Sequence, residues 1–260
     1  MIEFQHNAAV KIVLAGAGGT GSYLAQQLYR IAYARKNEIQ IILCDGDVVS
    51  EKNLLRQHFT AQDVGKNKAE VLSKRYAQAF GMEAVYIPRF LESAEELYQL
   101  LLPNKSKVSF SAKYGKVIQQ VILIGAVDNN RTRKLFHEVF ERLNDIVYID
   151  AGNEEFSGQV VCGVRQNGKE ISPPAAERYP NILSETGVFP SEESCADRAV
   201  SAPQSISANV MASAVVTAML YNLLFTGKLD AEEVVFSCKS IEAQSYQGGN
   251  ISENQEDTAL

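Results

Sequence analysis

The chain has 260 residues, 46% of them hydrophobic and 22% charged, with a formal net charge of −6. That length suits one large α/β core, and the acidic balance argues against a general nucleic-acid binder, which needs a basic face for phosphate. No basic-then-apolar run opens the chain, so no secretory signal is expected and the cytoplasm is the expected compartment.

After a polar lead-in, Lys11-Ile12-Val13-Leu14-Ala15 reads as a strand, and Gly16-Ala17-Gly18-Gly19-Thr20-Gly21 as a turn opening a helix. Leu24, Leu28 and Ile31 share one face of that helix. A second strand, Ile39 to Leu43, ends in Cys44-Asp45-Gly46-Asp47. Glycines let the backbone turn tightly and let a phosphate reach N–H groups at the positive end of a helix dipole. The acid after the second strand stands where such folds hold a ribose hydroxyl. NAD, FAD, S-adenosylmethionine and ATP proteins all use this arrangement, so the glycines alone do not choose among them.

Gly65-Lys66-Asn67-Lys68 opens a helix with Ala69, Leu72, Tyr76 and Ala79 at helical spacing, and Ala84 to Ile87 is a short strand. Ser93-Ala94-Glu95-Glu96 has capping-box spacing and starts a helix running to Leu102. Pro103 to Lys116 is polar and reads as a surface loop or loose hairpin. Val121 to Ala126 is a continuous apolar strand, as expected where both sheet faces are covered. Asp128 follows it, either as the N-cap of a helix over 131–143 or as a ligand-binding acid. Ile146 to Ile149 is a further strand, and Gly168 to Ala202 is a long irregular crossover. Gln204 to Thr226, closed by Gly227, is an alanine-rich uncharged helix, read as a core helix rather than a membrane span. Glu232 to Ser237 is the expected last strand. Residues 1–246 are read as a single domain, and the acidic tail over 247–260 as disordered.

Cys44, Cys162, Cys195 and Cys238 are widely separated and form no Cys-x-x-Cys pair, which fits a reducing compartment and predicts no structural zinc. His6, His58 and His137 are scattered and read as ordinary residues. Cys44, Cys162 and Cys238 lie in or beside apolar runs and read as small hydrophobes.

The pattern Asp45-x-Asp47-x5-Asn53-x2-Arg56-Gln57, followed by Lys68, resembles the nucleotide-binding segment of the ThiF/MoeB/E1 superfamily. Those enzymes adenylate a C-terminal carboxylate of ubiquitin-like proteins. Tyr-x-Asp-x-Gly-Asn over 148–153, Ser157-Gly158-Gln159-Val160, and Pro190-x3-Ser194-Cys195-x8-Gln204-x4-Asn209 look like the ThiF-related member of the PRTRC cassettes. The resemblance spans about residues 11 to 240.

It implies a Rossmann-like ATP-binding α/β fold with a mostly parallel sheet, extended by further strands after residue 145. It implies ATP and Mg2+ as ligands, with Gly16, Gly18, Gly19, Gly21, Asp45, Asp47, Asn53 and Gln57 at the nucleotide. Asp45 would hold the ribose, Asn53, Arg56 and Lys68 would meet phosphates, and Asp128 would hold the metal. Cys195 stands where small activating enzymes carry a thioester-forming cysteine, although with Gln204 and Asn209 it is equally readable as part of a structural set holding the crossover. A homodimer and a small ubiquitin-like or sulfur-carrier protein partner are also implied. The family's arginine ahead of the first strand has no counterpart, since the first arginine is Arg30. Other readings are an NAD(P)-binding oxidoreductase, which leaves Asn53, Arg56 and Lys68 unused, an adenylating enzyme for a small molecule or peptide, and a non-catalytic nucleotide-binding subunit.

Overall fold

The computed structural model describes residues 1–35, 38–111, 115–184, 187–192 and 204–247. Its first half contains β1 (Ile2–Glu3), β2 (Val10–Ala15), α1 (Gly19–Ala34), β3 (Ile39–Cys44), α2 (Lys68–Phe80), β4 (Tyr86–Ile87) and α3 (Ala94–Leu101). Next come β5 (Val108–Ser111), β6 (Gly115–Ile118), β7 (Gln120–Gly125), α4 (Asn130–Arg142) and β8 (Ile146–Asn153). The remainder is β9 (Ser157–Gln166), β10 (Lys169–Ser172), α5 (Ala175–Arg178), α6 (Asn181–Ser184), α7 (Ile206–Tyr221), β11 (Lys228–Leu229), β12 (Glu233–Ser237) and β13 (Glu242–Tyr246).

The strand order across the main sheet is β13-β12-β9-β8-β7-β2-β3-β4, with β10 beside β9. The run β8-β7-β2-β3-β4 is parallel, and everything beyond β8 joins antiparallel. Side chains alternate across a strand, so β2 splits between two cores. Ile12 and Leu14 pack with Leu24, Leu28 and Leu72 on the side of α1, α2 and α7. Val13 and Ala15 pack with Leu97, Phe136 and Phe140 on the side of α3 and α4. Burial on both faces is why these strands read as unbroken apolar runs. Lys11, the one cation in β2, donates from Nζ to the Leu100 and Leu102 carbonyls at 3.1 and 2.7 Å. Those carbonyls close the C-terminal end of α3, where positive charge is favoured.

Of the surface loop or loose hairpin expected after Pro103, the structure has the hairpin, β5 paired with β6. Three other expectations need correction. The crossover is less irregular than its composition suggests, because β10, α5 and α6 occupy its first part. Glu232 to Ser237 is not the last strand, since β13 pairs with β12 beyond it. Finally, α4 is capped by Asn129, whose side chain accepts from the Thr132 N–H at 2.8 Å, and not by Asp128. Among the described residues, Ile206–Thr226 is the helix long and apolar enough to cross a membrane by length and composition. Half of its most apolar window is buried, with Ala212, Val216, Met219 and Leu220 turned inward. The tail from residue 248 lies outside the described residues.

Candidate active site

Adjacent β2 sends its chain to α1, while β7 sends its chain to α4 on the opposite face. The sheet therefore opens a crevice beyond the carboxyl ends of these strands, where open α/β folds take ligands. Ala15 pairs with Cys44 on one side and with Gly125 on the other. Residues 16–21, 45–47 and 126–128 consequently meet at one end of the sheet.

The glycine turn is dictated by close packing. Gly16 has φ +97°, and a Cβ there would stand 2.3 Å from the Ala126 carbonyl oxygen. At Gly21 a Cβ would stand 1.9 Å from the Gly16 carbonyl oxygen. At Gly19 it would stand 2.4 Å from Asn209 Oδ1. Gly18 differs, since the nearest atom to its Cβ position is Gln57 Nε2 at 3.8 Å. The turn thus leaves room at Gly18, beside the N-terminus of α1.

Asp45 is buried, and both its oxygens are engaged by backbone donors: Ala17 N–H at 2.6 Å and Asp47 N–H at 2.8 Å. It therefore locks the glycine turn to the end of β3. Burial pushes its carboxyl pKa up, opposed by the charge of Lys68. Lys68, in the first turn of α2, reaches back to Asp47 Oδ2 at 2.7 Å. Asn67 caps α2 through Glu70 N–H and donates to the Asp45 and Asp47 carbonyls. Asn53 accepts from the backbone N–H and hydroxyl of Ser50, closing a capping box on the short helical turn Glu51–Leu55.

That turn delivers Arg56 and Gln57. Arg56 donates from Nη1 to Gln204 Oε1 at 2.6 Å, and its carbonyl accepts from Asn209 Nδ2 at 3.2 Å. Gln57 is 6% exposed, and among the described residues its Oε1 has no hydrogen-bond partner. A buried acceptor left open beside Gly18 is a feature that a bound donor would satisfy. His58 follows, stacked on Tyr23 with ring centroids 5.2 Å apart, its Nδ1 3.1 Å from the Tyr76 hydroxyl.

Asp128 is exposed, three residues past Gly125, at the same end of the sheet. Arg133 fixes the segment that carries it. Its Nη2 donates to the Val127 carbonyl at 2.7 Å, its Nη1 to Asn130 Oδ1 at 3.2 Å, and its Nε to Asp150 Oδ1 at 3.1 Å. Tyr148 donates to the other Asp150 oxygen at 2.7 Å. Arg133, Asp150 and Asn153 carry structural weight that the sequence did not signal, whereas Asn209 already stood in a structural reading with Gln204. Asp150, Asn153 and Asn209 fall in quoted motifs, yet nothing in the sequence showed their burial or partners.

Cys195 lies outside the described residues. Cys44 and Cys162 are buried, and burial pushes both thiols up to about 12, which suits inert core positions. His137, Glu141 and Glu177 bring ligand-type atoms within 4.8 Å of one another, but the Glu141 carboxylate is already paired with Arg165 at 3.3 Å.

The ThiF family model matches residues 4–258. The chain belongs to the ThiF family. Among solved structures it is similar to E. coli MccB with ATP, at 20% identity and TM-score 0.60, covering 94% of this chain and 65% of that one. Likeness to E. coli MccB with AMPCPP and MccA is of the same order: 19% identity, TM-score 0.61, and 94% and 64% of the two chains. PaaA gives 19% identity, TM-score 0.60, and 93% and 65%. These likenesses show the fold, and this ThiF-family chain spans about two thirds of their length. No curated protein matches it.

Proposed function

We propose that this ThiF-family protein uses ATP to adenylate a carboxylate. An oxygen of the carboxylate attacks the α-phosphorus, the bond to the bridging oxygen breaks, pyrophosphate leaves, and an acyl-adenylate remains. The observation that carries this reading is the convergence of Gly18, Gln57, Arg56 and Lys68 at one end of β2 in a chain matched along its length by the family model. The glycine turn gives phosphate access to the N-terminus of α1. Gln57 offers its open acceptor to a nucleotide donor, and Asp45 keeps the turn in shape while standing near the ribose position. Arg56 and Lys68 supply preorganised positive charge for the phosphates.

Magnesium, when bound, would neutralise charge on the triphosphate. Asp128 is a suitable donor, since Asn129 does the helix capping and leaves the Asp128 carboxylate exposed. The carboxylate is proposed to be the C-terminus of a small ubiquitin-like or sulfur-carrier protein, and MccB, crystallised with MccA, makes a peptide C-terminus an adjacent choice. Residues 1–246 would act as one adenylation domain in a cytoplasmic homodimer, with affinity to the PRTRC subgroup carried by the sequence motifs. Transfer from the adenylate to Cys195 would give a thioester and release AMP.

ATP–pyrophosphate exchange tests the reading, using the protein with the small proteins encoded beside it. Exchange that requires one of them and its intact C-terminus is the expected result. ATP binding without exchange by any carboxylate partner would replace catalysis with a binding role.

A further inference from the structure

The cations around the glycine turn are not held alike. Lys68 is paired with Asp47 at 2.7 Å and Arg133 with Asp150 at 3.1 Å. Among the described residues, the Arg56 guanidinium instead bonds to a neutral amide, Gln204, at 2.6 Å. A guanidinium has donors only, so the amide must present its oxygen. A neutral acceptor aims the guanidinium yet leaves its full charge for an incoming anion, whereas a carboxylate would cancel that charge.

The backbone of Arg56 is fixed with equal care. Its carbonyl can only accept, so Asn209 donates to it through Nδ2. Asn209 Oδ1 must then accept, and it does so from Asn153 Nδ2 at 2.9 Å. Asn153 Oδ1 is left to accept from the Thr20 hydroxyl at 3.2 Å. The chain of donors therefore runs one way, from the first turn of α1 through the end of β8 and α7 to Arg56. Asn209 is fully buried, and Gly19 leaves the space it fills.

From this geometry we infer that Gln204 is a positioning residue for Arg56, aiming its charge at the phosphates of a nucleotide without neutralising it. The inference rests on the ATP-binding function proposed above and adds the residue that sets phosphate affinity. Gln204 is half-buried just ahead of α7 and takes no part in the Thr20–Asn153–Asn209 chain.

Equilibrium binding of ATP and of adenosine to the full chain tests it, with wild type, Gln204→Leu and Gln204→Glu. Loss of a hydrogen bond to a charged group predicts roughly tenfold weaker ATP binding for Gln204→Leu. Gln204→Glu retains an acceptor but cancels the charge, so it should weaken ATP binding at least as much. Adenosine, which has no phosphate, should bind all three proteins equally. Wild-type ATP affinity in Gln204→Glu, or equal losses for ATP and adenosine, would overturn the inference while leaving the function standing. A wild-type protein that binds no ATP would overturn the proposed function and this inference with it.

Discussion

Lys68 Nζ stands 2.7 Å from Asp47 Oδ2, with the lysine 6% and the aspartate 39% exposed. The lysine assigned to phosphate thus already has a carboxylate partner, held in place by Asn67 and by the Lys68 N–H bonded to the Asp47 carbonyl. A phosphate must compete with that carboxylate. Because one partner is open to solvent, the pair is worth about 0.5–1 kcal/mol. Asp47→Asn is therefore expected to tighten ATP binding about two- to fivefold in calorimetric titration. Weaker binding would show instead that Asp47 holds the nucleotide itself.

Asn129 and not Asp128 caps α4, which leaves the exposed Asp128 carboxylate for the proposed metal role. Asn129 caps α4, so Asn129→Ala should cost about 1 kcal/mol in urea unfolding. Asp128 is exposed, and Asp128→Ala should change stability by less than about 0.5 kcal/mol. It should nevertheless abolish Mg-dependent pyrophosphate exchange. Full exchange activity in Asp128→Ala would remove the metal assignment.

Arg133 and Asp150 form a pair 13% and 4% exposed. Burial presses down the pKa of Arg133, but the charge and hydrogen bond of Asp150, together with Tyr148 and Asp128, outweigh it, and the net shift is upward. Removing one partner of such a pair leaves a buried charge, so Arg133→Met should cost about 3 kcal/mol. The double variant Arg133→Met, Asp150→Asn should lose less than the sum of the two single losses. Strict additivity in denaturant titrations would show that the two side chains are not coupled.

His58 is held neutral. Burial lowers its pKa below the ordinary 6.5, and the charge of Arg75 lowers it further. The unfolded chain then binds a proton more readily than the folded one. The contribution of His58 is present above pH 6.5 and is lost as pH falls through its depressed folded value. Melting temperatures from pH 8 to pH 5 should decline less for His58→Phe, which keeps the stack on Tyr23, than for wild type. Parallel declines would show that His58 does not titrate differently in the two states.

Much of the nucleotide half was legible because local chemistry and burial point the same way there. β2, β3 and β7 are apolar runs covered on both faces, and Gly16, Gly19 and Gly21 permit close contacts that a side chain would block. Asn67 and Ser93 cap helices as their types and spacing suggest. β13 was invisible for the converse reason: most of Glu242–Tyr246 is exposed, so no alternation marks it as a strand. Asp128 and Asn129 are both good capping types, and only the backbone path decides which one turns into the helix.

Residue types alone lay out the groups: a glycine turn, acids after β3, the Arg56-Gln57 pair, and Lys68. How each group is employed follows from the packing of distant segments. Both oxygens of Asp45 are taken by backbone N–H groups, Lys68 is paired with Asp47, and Gln57 keeps an open acceptor. Gln204, 148 positions from Arg56, reaches it because α7 is packed against the sheet behind the glycine turn. Residue type fixes which bonds a side chain can make, but packing fixes which partners come within 3 Å, and no local pattern encodes that distance.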